Sequence, residues 1–118
     1  MKNSIKVELA AHVLDLINDG VLTNQNKEDW HFHAFNEDYY LIGYYNCSEW
    51  LKNHGLGEFE AAGICQQYEI DNFGECHKVY DNSENVVNML VYIYGEELLW
   101  DIDAYDIDEL KEELEDII

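Results

Sequence analysis

Arginine is absent from this 118-residue chain, proline is absent too, and six lysines stand against 26 aspartates and glutamates, a formal net charge of -20. Without guanidinium groups the chain is poorly equipped for bidentate recognition of phosphate or carboxylate, which disfavours nucleic acid, nucleotides and acidic membranes as direct partners. Because prolines, internal repeats and low-complexity linkers are all missing, no natural boundary divides the chain, and residues 1–118 read as a single acidic globular domain. No apolar run approaches the roughly 20 residues that span a bilayer. The start from Met1 to Lys6 leads into an amphipathic segment instead of a signal-peptide apolar block, so the expected location is the cytoplasm. Cysteines number three, Cys47, Cys65 and Cys76, an odd set without paired spacing that suits reduced, core-filling thiols better than disulfides.

What the chain does have is apolar area. Hydrophobic residues make up 47% and aromatics 14%, with three Trp, four Phe and nine Tyr, which is enough to close a core and argues against the disorder that such charge would otherwise suggest. Ile5, Leu9, Val13, Leu16 and Ile17 recur at helical spacing from about Ser4 to Asn18, with Asn3 or Ser4 as the cap and Gly20 as the stop. Residues 24–29 are polar. Trp30 to Phe35 reads equally as strand or helix, as does Tyr39 to Tyr45. Asn46 with Glu49 forms a capping box for a short helix carrying Trp50 and Leu51, which Gly55 stops. A longer helix follows Gly57, from about Glu58 to Asn72, with rows Phe59, Ala62, Gln66 and Ile64, Tyr68, until Gly74 breaks it. Asp81 with Glu84 opens the most apolar helix, which continues through Gly95 to Trp100, and Asp106 with Glu109 opens a terminal amphipathic one. The expected fold is therefore mainly α, a compact single-domain helical bundle, with a short β element around residues 30–45 as the open alternative.

Sequence motifs for metal or catalysis are weak. His31 and His33 would place two imidazoles on one side of a strand, and Cys76 with His77 adds a thiol, but neither has the paired spacing of a structural zinc site. Asp101, Asp103 and Glu112 match positions one, three and twelve of a calcium loop. Position six, which needs glycine, is Asp106, and the loop fails. No nucleophile elbow, phosphate loop or dinucleotide fingerprint appears. The expectation is no enzyme, no metal and no cofactor; a catalytic reading would rest on His31, His33 or His77 in a pocket.

Charge is the more informative signal. From Glu96 to Ile118 there are eleven acids and one lysine, Lys111, so a fifth of the chain carries half of its net charge. Self-repulsion of this size works against a compact fold, which invites a functional explanation. Twenty charges correspond to about 34 Å of duplex DNA, and a globular chain of this length has a diameter of about 35 Å. A helix lined with carboxylates can thus occupy a basic DNA-binding groove. The residues expected to bind a partner are Glu96, Glu97, Asp101, Asp103, Asp106, Asp108, Glu109, Glu112, Glu113, Glu115 and Asp116. Tyr39, Tyr40, Tyr44, Tyr45 and Trp100 form the rival patch, since Tyr and Trp supply contact area at interfaces that charge alone does not.

In size, charge, missing arginine and acidic helices the chain resembles the small acidic counter-defence proteins of phages and plasmids, DNA mimics of the antirestriction or anti-CRISPR type. The stretches Tyr68 to Glu75 and Val87 to Glu97 are similar to uncharacterised proteins of phages and mobile elements. The resemblance implies an inhibitor that occupies the nucleic-acid-binding surface of a host defence protein, such as a CRISPR effector or restriction enzyme. The alternative is an antitoxin-like or adaptor module that holds one basic host protein through an aromatic patch. A homodimer would extend the negative surface along a longer track.

Overall fold

A computed structural model describes residues 3–35 and 46–118, and the chain divides into two compact units, Met1–Tyr40 with Tyr94–Ile118, and Leu41–Ile93. The fold is mainly α. Its helices are α1 (Asn3–Asn18), a 3-10 helix (Asn24–Asp29), α2 (Trp30–Phe35), α3 (Cys47–Asn53), α4 (Glu58–Phe73), α5 (Ser83–Ile102) and α6 (Ile107–Ile117). Among the described residues there is no strand. Trp30 to Phe35 is thus helix, not strand; Tyr39 to Tyr45 lies outside the described residues.

In the first unit, α1 buries Ile5, Leu9, Val13 and Leu16 as expected from their spacing, with Ala10 beside them and Ile17 half-buried, and α6 packs on α1 with Leu110 and Leu114 buried. Ile117 is only half-buried and Ile118 is exposed, so the fully buried face of α6 ends at Leu114. Gly20 takes a left-handed φ of 77° behind α1, where a side chain would be strained. Tyr94 and Leu98 from the C-terminal part of α5 complete this core. Gly95 is buried under the Phe35 ring, and a Cβ there would collide with the ring carbons.

The polar residues 24–29 are ordered by their own side chains. Thr23 caps the 3-10 helix, and the Asn26 side chain answers by accepting from the Thr23 N–H at 2.8 Å. The same Asn26 oxygen accepts from the Trp30 indole at 3.1 Å, while its amide donates to the Val21 carbonyl at 2.8 Å. One buried tryptophan therefore finds its partner in the turn that precedes it.

In the second unit, Asn46 caps α3 by accepting from the Glu49 N–H at 3.1 Å, and Trp50 and Leu51 are buried. α4 ends at Gly74, left-handed with φ 82°. The buried residues of α4 are Ala61, Cys65 and Glu69, while Phe59 and Gln66 of the row expected from the sequence are exposed. The cap of α5 is one residue later than the Asp81–Glu84 box: the Asn82 side chain accepts from the Asn85 N–H at 2.8 Å. Asn caps as well as Asp does, and the register is decided by placing Val86, Val87 and Leu90 inward.

Candidate functional site

α6 owes its position to three hydrogen bonds, two local and one from a distant part of the chain. Asp106 caps it, accepting from the Glu109 N–H at 2.9 Å. Glu109 turns back to accept from the Tyr105 N–H at 3.3 Å, one residue before the usual partner of a capping box. Asn24, from the 3-10 helix, accepts from the Ile107 N–H at 2.7 Å, which satisfies another unpaired donor of the first turn. With Leu110 and Leu114 turned inward, Asp108, Glu109, Glu112, Glu113, Glu115 and Asp116 are all exposed.

The remaining nominated acids lead into this face. Glu97 and Asp101 are exposed on α5, Glu96 is half-buried, and Asp106 is partly buried as the cap. Asp103 follows α5 directly with φ 47°, the left-handed conformation that usually calls for glycine or asparagine. It is exposed. The structure thus brings all eleven nominated acids into the first unit, on the end of α5, the connecting turn and α6.

Between α5, α6 and the 3-10 helix lies a cleft of about 300 Å³. Its lining combines the apolar Trp30, Leu99 and Leu110 with Trp100, Glu28, Glu96, Asp103, His31 and Lys27. Trp100 is 77% exposed, and Tyr105 in the following turn is 79% exposed. Lys27 reaches across from residue 27 to donate to the Tyr105 carbonyl at 2.5 Å, its ammonium 4.8 Å from the centre of the Tyr105 ring. That ammonium is held against Tyr105, so the acids Glu28, Glu96 and Asp103 give the cleft its net sign. Sequence reasoning missed Asn24, Asn26, Lys27 and Glu28. The available signal was Thr23 with Asn26, a Thr-x-x-amide pair that marks a helical turn in a stretch that otherwise reads only as polar.

Of the rival aromatic patch, only Trp100 falls among the described residues; Tyr39, Tyr40, Tyr44 and Tyr45 lie outside them. His31 and His33 sit two apart on a helix and diverge, His31 packing near Phe35 and His33 near Phe32. Asp101 and Glu112 belong to α5 and α6, so no twelve-residue calcium loop forms between them. Among the described residues no group of three or more His, Cys, Asp or Glu is placed to hold a metal ion.

The cysteine and histidine pair at 76 and 77 has a structural task. Glu69, 4% exposed, accepts from the N–H groups of His77 at 3.0 Å and Lys78 at 3.2 Å, pinning the loop after α4. Burial alone would raise the Glu69 carboxyl, but hydrogen bonds from Lys78, the Cys76 thiol and His77 outweigh it and hold the group below the usual carboxylate range. The Tyr80 hydroxyl is buried beside Glu69, and burial followed by that carboxylate pushes its pKa up. Burial pushes the Cys65 thiol up to about 12, and the Glu69 carboxylate raises Cys76. Cys47 is raised by burial and by Glu84. None of the three thiols is primed as a nucleophile.

Comparison of the chain with protein families, curated proteins and solved structures gives no match. No helix among the described residues is long and apolar enough to cross a membrane.

Proposed function

We propose that this protein is a DNA-mimic inhibitor from a phage or mobile element, acting in the host cytoplasm on the nucleic-acid-binding groove of a defence protein. The observation that carries the reading is the exposed row of six carboxylates on α6, continued by Glu97, Asp101 and Asp103. A rigid helix of this kind releases the counterions of a basic groove much as DNA does. Trp100 and the acid-lined cleft beside it suit a lysine or arginine side chain of the partner, since an indole face attracts a cation and carboxylates neutralise it.

The exposed Trp100 and Tyr105 also favour a second reading, an adaptor or antitoxin-like module that binds one basic protein without imitating DNA. Salt separates the two. The immobilised protein is passed through host lysate and eluted with a salt gradient, or with duplex DNA, before mass spectrometry. The mimic reading expects a nucleic-acid-binding protein that leaves at moderate salt, is displaced by duplex DNA, and is not captured when Glu112, Glu113, Glu115 and Asp116 are changed to lysine. A partner that withstands high salt and ignores DNA overturns it in favour of the adaptor.

A further inference from the structure

The second unit carries an exposed face that the acids of α6 do not explain. Along α4, Phe59, Gly63, Gln66, Ile70 and Phe73 recur at alternating steps of four and three, the spacing of a seam between two helices. All five are exposed: Phe59 is 96% exposed, Phe73 63% and Ile70 45%. The side of α4 that faces its own core is a different one, Ala61, Cys65 and Glu69. Exposed large apolar residues scattered singly are ordinary, but three on one helix row form a contact surface.

Gly63 supports this independently. It lies inside α4, where glycine costs about 1 kcal/mol relative to alanine. A Cβ at Gly63 would meet nothing within 4 Å, so the chain's own packing does not require a glycine there. The missing side chain leaves a notch in the middle of the stripe, which lets a second backbone approach.

The charge around the stripe selects the occupant. The exposed acids of α4 are Glu58, Glu60 and Asp71, and the helix has no lysine. By helical position Glu60 and Asp71 lie along the edge of the stripe away from the core, and Gln67 donates to Asp71 at 2.8 Å between them. Carboxylates along one edge of an apolar seam complement a helix with an apolar face and a basic margin. A second copy of this chain, also at net charge -20, would bring the same carboxylates against them.

We propose that the Phe59–Phe73 stripe of α4 is a docking face for a basic amphipathic helix of a partner protein, separate from the acidic face of α6. The probe is a fluorescein-labelled Leu/Lys peptide of roughly 18 residues with leucines at heptad spacing, titrated by anisotropy against the full chain in about 0.5 M NaCl, where exposed charges are largely screened. Binding is expected to weaken by at least about tenfold in the Phe59→Ser, Phe73→Ser double variant. It should stay within about twofold when Glu112, Glu113, Glu115 and Asp116 are changed to lysine. Phe59 is almost wholly exposed, so Phe59→Ser alone tests the face without a folding penalty. Equal binding by a peptide of the same composition with scrambled leucines, loss on α6 reversal with no effect of the α4 variants, or a dimer in sedimentation that Phe59→Ser dissolves would each overturn the proposal. Because the α6 variant is one of the arms, failure of this surface and failure of the mimic reading give different results.

Discussion

Gly63 and Gly95 occupy helix interiors, and the same substitution is expected to act in opposite directions at them. Gly63→Ala meets open space and should raise unfolding stability by about 0.5–1 kcal/mol, the ordinary difference in helix propensity. Gly95→Ala drives a methyl into the Phe35 ring and should lower it by about 1–3 kcal/mol. Urea unfolding of the two variants measures both. His12 provides a pH signal at the same scale. Its Nε2–H donates to the Ala34 carbonyl at 2.6 Å. Burial, partly offset by that bond and by Asp15 and Glu8, holds its pKa below the ordinary value of 6.5. The unfolded chain therefore binds the proton more readily than the folded one, so this stabilisation is complete above 6.5 and is lost as pH falls through 6.5 toward the folded value. Thermal melts between about pH 7.5 and 5.5 should show the wild type losing stability relative to His12→Leu.

At the scale of the element, α6 is charged against its own interest. Asp108 and Glu109 in the first turn favour the helix dipole, but the last turn has no basic residue and carries Glu115 and Asp116. Asp108, Glu112 and Asp116 also stand four apart, and each like-charged pair costs about 0.2–0.5 kcal/mol. Asp116→Lys is thus expected to stabilise the fold by about 0.5–1 kcal/mol. If α6 is the binding face, the same change lowers affinity for the captured partner, a stability gain with a functional loss. Parallel melting and binding curves on one preparation read both signs. An acid face retained only for solubility would show the first effect without the second.

For the whole molecule, a net charge of -20 on 118 residues means that repulsion opposes folding throughout. Raising NaCl from about 0.05 to 0.5 M shortens the screening length from roughly 14 Å to about 4 Å. The melting temperature should rise over that range, whereas affinity through the α6 face should fall. Opposite salt slopes for folding and binding are a signature of charge kept for recognition. A melting temperature that falls or stays level would mean that the acids are already compensated in the folded state.

Much of the helical framework is legible in the residues themselves. Period, caps and stops are local, so the caps at Asn46 and Asp106, the stops at Gly20, Gly55 and Gly74, and the buried stripe of α1 follow from neighbours a turn away. The row of α6 acids follows too, because a helix with Leu110 and Leu114 inward must turn Glu112, Glu113 and Asp116 outward. Tertiary structure decided what depends on residues distant in sequence. It chose Asn82 over Asp81 as the cap of α5 and seated Gly95 beneath Phe35. It drew Lys27 to Tyr105 across 78 positions to make one wall of the Trp100 cleft, and it left Phe59, Ile70 and Phe73 outside. α4 has apolar residues on more than one side, and its sequence alone does not say which side the core takes. Only packing of the other helices settles that, because a core closes on the set of side chains that fill it together, and the remainder stays on the surface.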